Sequence, residues 1–262
     1  MTISHDYYLK FLANDVFEET LSFHSKGNFT IHRSTKHFTT LHHLSESELK
    51  TLTGNEIKLY PDIATEHDQH HIPQINTEHP LSRNESCNEF FSQSIPFQNI
   101  GKLLSPLLGK PEHKFKRGYP SGGALYPVEV FCCNLSRKNT DWPKNQNILH
   151  LLPRSRKFEP LASNINTNTL LQAITPEPSD IGSPSVAIIY FMYLPKSLFK
   201  YRYRGYRLAL MEAGSMYMLI DLRCKELHLQ NRMWSGFSDH QITKTLKLNP
   251  ALFLPLCIQL IG

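Results

Sequence analysis

The run SVAIIYFMYL, Ser185–Leu194, followed by PKSLFKYRYRGYRLALMEAGSMYMLIDL, Pro195–Leu222, sets the architecture. A nearly continuous apolar run of this length is what a central strand buried on both faces carries. The stretch behind it predicts a long helix through Leu222, apolar nearly all round and therefore internal.

Working outward, the types alternate. QNIGKLLSPLLGK, Gln98–Lys110, spaces Ile100, Leu103, Leu104, Leu107 and Leu108 as a helix does and ends on Gly109 as its C-cap. PVEVFCCNL, Pro127–Leu135, is β-branched and aromatic, a strand. NTNTLLQAIT, Asn166–Thr175, is a short helix opened by an Asn or Thr cap. HQITKTLKL, His240–Leu248, is another short helix, and LCIQLIG, Leu256–Gly262, a closing strand. Strands and helices mix without a strict βαβ repeat, so the fold class is α+β. No internal repeat is visible.

The first third differs. A helix is expected over Tyr7 to Phe23, and from His24 to His79 the chain is rich in His, Thr, Asn and Ser with weak periodicity. PDIATEHDQHHIPQINTEHP, Pro61–Pro80, reads as a long surface loop. Residues 1–80 are taken as an accessory segment or small domain and 81–262 as the main domain. Within the loop, His67, Asp68, His70 and His71 could in principle ligate a metal. With no cysteine nearby, a solvated polar loop is favoured and no metal is expected.

At 262 residues the chain can bury a substantial core, and its net charge of +5 is too mild to demand a nucleic-acid partner. The N-terminus carries no secretory signal pattern. The apolar run Leu208 to Leu222 is interrupted by Glu212, Ser215 and Asp221 and is too short to span a bilayer. Five cysteines without C-x-x-C spacing read as reduced thiols of a cytoplasmic protein.

Three stretches carry chemistry. FKYRYRGYR, Phe199–Arg207, packs one lysine, three arginines and three tyrosines into nine residues. Such interleaving suits a single-strand nucleic-acid grip, a solvated helix end, or a site that holds an anion and moves a proton. Because it runs straight into an apolar helix, the third reading is preferred. KRGYPSGGALYPVEVF, Lys116–Phe131, has adjacent Gly122 and Gly123, a backbone that can approach a flat ligand, although Gly-Gly turns are common. RMWSGFSDH, Arg232–His240, offers Gly236 as a bend beside Trp234, with a plain loop as the alternative.

Taken in order, YPSGGALYPVEVF, LFKYRYRGYRLALMEAGSMY, WSGFSD and the closing PLCIQLIG resemble the FMN-dependent azoline dehydrogenases, a branch of the nitroreductase superfamily. The likeness covers about Leu81 to Gly262, and FHSKGNF, Phe23–Phe29, echoes the same enzymes. The resemblance implies a nitroreductase-like α+β sandwich with a central mixed sheet flanked by helices, dimerising with FMN in the interface. It also implies oxidation of thiazolines and oxazolines to thiazoles and oxazoles on a precursor peptide, during maturation of a ribosomally made antibiotic. A partner cyclodehydratase makes those rings.

Carried over by motif, Pro120, Ser121, Gly122 and Gly123 line the isoalloxazine ring, Arg117 precedes them, and Trp234, Ser235 and Gly236 touch the flavin's other side. Ser82 and Arg83 fall near the phosphate-binding element, although the usual paired arginines are absent. With the chain ending at Gly262, phosphate contacts beyond the last strand are not expected. Lys200 and Tyr201 match the catalytic pair. The ring Cα–H of an azoline still requires a base, and a phenol beside an ammonium is favoured as phenolate. The pair is expected at an irregular strand-to-helix junction, or else one member plays another role. Alternatives are an NAD(P)H-dependent nitroreductase or flavin reductase, and a non-catalytic subunit that binds the precursor.

Overall fold

The structure, a computed structural model, describes residues 5–29, 44–53, 80–110, 116–143, 146–161, 165–176 and 181–262. The chain divides into two units, Met1–Thr30 with Arg83–Gly262, and Ile31–Ser82. The first thirty residues join the large unit, because Val16 is fully buried in its core. In the smaller unit one described helix, Glu46–Leu52, is opened by a Ser45/Glu48 capping box. His67, His70 and His71 lie outside the described residues.

The large unit is built on β1 (Val128–Asn134), β2 (Ile148–Leu152), β3 (Lys157–Pro160), β4 (Val186–Tyr193), β5 (Asn231–Trp234) and β6 (Phe253–Ile261). Their order is β3-β2-β1-β4-β6-β5, and every pairing is antiparallel. The expected mixed sheet is thus corrected. Among the described residues, parallel pairing is confined to the isolated bridge Phe90–Gly182. Central β4 is buried at every position, as its composition predicts. Its side chains alternate between two cores, Ile188, Tyr190 and Met192 on one face and Ala187, Ile189 and Phe191 on the other.

The helices are α1 (Asn14–Lys26), α2 (the Glu46–Leu52 helix), α3 (Phe97–Leu104), α4 (Thr167–Ile174), α5 (Leu194–Tyr201), α6 (Tyr203–Glu226) and α7 (Asp239–Thr245). Residues of α1, α3, α5 and α6 enter the first core, and those of α4 and α7 the second, which makes a sandwich. Among the described residues, no helix is long and apolar enough to cross a membrane.

Three expected helices differ. The one over Tyr7 to Phe23 is a 3-10 helix through Phe11 and then α1, with extended Ala13 between them. The helix of QNIGKLL stops at Leu104 because Pro106, which lacks an N–H, follows in a 3-10 turn; Gly109 pairs with Arg117 instead of capping. The long helix is interrupted at Arg202 (φ 47°), dividing α5 from α6. Nor is α6 internal within one chain. Its buried stripe includes Ala209, Ala213, Met216, Ile220 and Cys224, while Leu210 and Met211 on the other side are 43% and 70% exposed.

Candidate active site

The glycine turn is tied down from beneath. Gly123, Ala124 and Tyr126 adopt φ values of 59°, 54° and 52°, a left-handed path that only glycine follows without strain. The Ser121 hydroxyl accepts a hydrogen bond from the Tyr126 N–H at 2.9 Å and donates to Glu212 on α6. A Glu212 carboxylate oxygen also accepts from the Val128 N–H at 3.2 Å. Burial pushes the Glu212 carboxyl up to about 7, against the opposing pull of those hydrogen bonds and of Arg117 and Lys196. Ser121 therefore anchors the turn to α6, while Pro120 and Gly123 are exposed on its outer side.

Arg117 braces the same turn. Its guanidinium lies 4.3 Å from the centre of the Tyr126 ring and donates to the Tyr119 hydroxyl at 2.8 Å. Burial raises the Tyr119 phenol, which keeps it protonated.

Lys200 and Tyr201 are the last two residues of α5. The helix opens directly from β4, with Pro195 in its first turn where no N–H is needed. Lys196 pairs with Glu129 of β1 at 3.2 Å, fastening α5 to the strand that follows the glycine turn. At the far end, Arg202 breaks the helix, and the Ser197 hydroxyl donates to the Gly205 carbonyl at 2.6 Å across the corner. The junction is thus helix to helix, not strand to helix as expected.

Neighbouring helical side chains diverge by about 100°, yet these two meet at one place. A β-carbon on Gly123 would stand 2.6 Å from the Tyr201 hydroxyl and 2.8 Å from Lys200 Nζ. The phenol and the ammonium converge on a backbone that carries no side chain. Leu208 of α6 closes the cluster at Gly122, its Cδ1 3.0 Å from where a β-carbon would stand.

The rest of FKYRYRGYR docks the N-terminal elements. Phe199 packs on Tyr8 with ring centres 5.2 Å apart, Arg202 approaches Asp15 at 3.7 Å, Tyr203 donates to Glu19, and Tyr206 bonds to His24 at 3.1 Å.

The other expected flavin residues are not gathered at this cluster. The Trp234 indole N–H donates to the Ile174 carbonyl at 2.7 Å, and its ring lies against Gly236. Ser235 is exposed and lines a pocket with Tyr206 and Leu210. Those two α6 residues point about 200° around the helix from Leu208. Arg83 pairs with buried Asp221 at 3.4 Å and reaches the Tyr217 hydroxyl at 3.3 Å. Asp221 lies about 20 Å along α6 from Leu208 at 1.5 Å per residue.

The chain is 35% identical over 245 residues to the microcin B17-processing protein McbC of Escherichia coli, covering 92% of this chain and 88% of that protein. This chain belongs to the azoline dehydrogenases of the nitroreductase superfamily. The E. coli microcin synthetase McbBCD complex with truncated pro-MccB17 bound contains a chain that superposes with a TM-score of 0.85 at 33% identity, covering 100% of this chain and 97% of that one. A structure assigned to the nitroreductases from Ralstonia eutropha JMP134 matches with a TM-score of 0.58 at 16% identity over 74% of this chain and 86% of its own, which shows the shared fold. No protein-family model matches the chain.

For an azoline dehydrogenase, the residues that sequence reasoning missed are those that position others. Glu212 and Glu129 lie within the quoted motifs but were given no role, and Lys196 lies outside them. FHSKGNF was visible, but only as an echo without a role.

Proposed function

We propose that this chain uses FMN to oxidise peptide thiazolines and oxazolines to the aromatic azoles, with Tyr201 as base and Lys200 beside it. The convergence of the Tyr201 hydroxyl and Lys200 Nζ on Gly123 carries this reading. Bare backbone at Gly122 and Gly123 suits a flat ring, since a side chain there would fill the space beneath the phenol. FMN, when bound, supplies the hydride acceptor. The azoline Cα–H is acidified by the adjacent C=N and carbonyl, and Tyr201 takes its proton at the phenolic oxygen. Lys200 steadies the negative charge that develops. Arg117, Ser121 and Glu212 keep the turn at its distance from Tyr201.

The active unit in this reading is a homodimer with FMN at its interface. The uncovered Leu210 and Met211 on α6 support it. So does the spread of flavin residues around and along α6, which suits Pro120–Gly123 of one copy facing Arg83 and Trp234, Ser235 and Gly236 of the other. The chain works with cyclodehydratase subunits on a precursor peptide, a reading supported by its likeness to a chain of the microcin synthetase complex with truncated pro-MccB17 bound. It does so in the cytoplasm, where its five free thiols stay reduced.

The test is purification followed by an absorption spectrum, cofactor mass, and incubation with a thiazoline peptide in air. An FMN mass and loss of two hydrogens per ring without added NAD(P)⁺ are expected. Strict need for NAD(P)⁺ would favour a nitroreductase, and colourless protein a non-catalytic assembly subunit.

A further inference from the structure

His150 of β2 stands between two carboxylates. Its Nε2 lies 3.2 Å from an oxygen of Glu129 on β1, and its Nδ1 lies 3.1 Å from an oxygen of Glu159 on β3. The ring stacks on Phe131 with centres 4.9 Å apart, which holds the plane in which both nitrogens point. An ionised carboxylate can only accept a hydrogen bond, so both nitrogens donate, and a ring with two N–H groups is the imidazolium. The donor direction therefore follows from the partners.

Glu129 joins this ring to α5. One of its oxygens faces His150, and the other accepts from Lys196 Nζ at 3.2 Å. Burial alone would raise the Glu129 carboxyl, but Lys196 and then His150 outweigh it and hold the group down at about 2. Arg117, beside the glycine turn, adds a weaker pull on the same carboxylate. Burial also works against charge on His150, yet the hydrogen bonds and charges of Glu129 and Glu159 raise the ring above the ordinary 6.5. Lys196 lies in the first turn of α5, and Lys200, four residues on, shares its face about 6 Å along the axis. The helix has only eight residues, so a shift of its first turn is carried to Lys200 and Tyr201.

We infer that protonated His150 and Glu129 form a positioning pair, which sets α5 through Lys196 and so holds Lys200 and Tyr201 against the glycine turn. Both act through Lys196 and not on the substrate. Loss of the His150 proton turns a ring lone pair against one of the two carboxylates, and that repulsion loosens Glu129 and the helix turn it holds. The support is therefore present at low pH and lost as pH rises past the point where folded His150 gives up its proton. The inference rests on Tyr201 and Lys200 as the reacting pair.

His150→Gln keeps a polar side chain that can donate to Glu129 but carries no charge. The FMN-loaded full chain is compared with wild type in kcat and KM for a thiazoline peptide from pH 6 to 10, with flavin content and melting temperature checking the fold. At pH 6 the variant's kcat should be about 5- to 100-fold below wild type with KM unchanged, the cost of misplacing reacting groups by up to about 1 Å. The ratio of the two kcat values should climb towards one as pH rises, because wild-type His150 loses the charge that the variant lacks. Tyr201 and Glu212 are present in both proteins, so their titration cancels in the ratio. A constant ratio across the range, an unchanged kcat at pH 6, or an effect confined to KM overturns the pair. Should His150→Gln fail to fold, Glu159→Gln takes its place at a position 62% exposed. With one carboxylate fewer beside the ring, its kcat relative to wild type should dip at intermediate pH and recover at both ends, and a flat ratio overturns the pair. Normal turnover by Tyr201→Phe sinks the catalytic reading itself, whereas a slowed Tyr201→Phe with a constant His150→Gln ratio sinks only the positioning pair.

Discussion

The phenolic oxygen of Tyr201 stands 2.6 Å from the point a β-carbon on Gly123 would occupy, and Gly123 holds φ at 59°. Gly123→Val would strike the phenol and strain the backbone together. The variant should purify folded but with most of its flavin gone, read from the absorption ratio of flavin to protein. Full flavin content would remove the flat ring from this place.

Tyr201→Phe keeps the ring packing and deletes the oxygen. Azole formation should slow by ~10²–10⁴-fold with flavin retained. Lys200→Ala should also impair turnover with flavin bound. Mass spectrometry of the precursor reads both, since each unoxidised ring keeps two extra hydrogens. Arg202→Ala is the control: its pair with Asp15 is exposed and long at 3.7 Å, worth about 0–1 kcal/mol. Normal turnover by Tyr201→Phe would return the segment to a docking role.

Glu212 makes the glycine turn sensitive to pH. Its folded-state carboxyl titrates at about 7, above the ordinary 4.5. The folded chain therefore holds a proton that the unfolded chain has released, and this contribution to stability is lost as pH rises from about 4.5 through about 7. Glu212→Gln keeps an acceptor for the Val128 N–H and cannot ionise. Melting curves from pH 5 to 8 should show a flatter decline than wild type. Parallel curves for the two proteins would mean that Glu212 is not titrating there.

The outer face of α6 offers a test of assembly. Met211→Glu places a charge at a position 70% exposed in the single chain. If two copies meet there, light scattering should show monomers, and FMN should be lost with the interface. A dimeric, flavin-loaded variant would move the interface elsewhere.

At the corner of α5 and α6, a β-carbon on Gly205 would lie 2.5 Å from the Ser197 carbonyl oxygen, a backbone atom that cannot swing aside. Gly205→Ala should push the helices apart, lower the melting temperature by several degrees, and shift Lys200 and Tyr201 from the glycine turn. An unchanged melting temperature with full activity would show that the corner yields freely.

The central strand, the capped α4 and the mixture of element types were legible in the sequence because each follows from local pattern. An unbroken apolar run cannot face water, and an Asn cap satisfies helix N–H groups beside it. The motifs also carried the family and picked out Lys200, Tyr201, Gly122 and Gly123. An irregular junction beside Lys200 and Tyr201 was expected, but not a helix-to-helix corner at Arg202, since arginine is an ordinary helix former. There Arg202 sits at φ 47°, beside the Ser197–Gly205 hydrogen bond that ties α5 to α6. Tyr203 finds Glu19 at a separation of 184 residues, and Val128 finds Glu212 at 84. Residue types and local periodicity were thus written in the chain. Which side chains meet was decided by tertiary structure, because the close approach of α5, α6 and the glycine turn depends on how all three pack against one sheet.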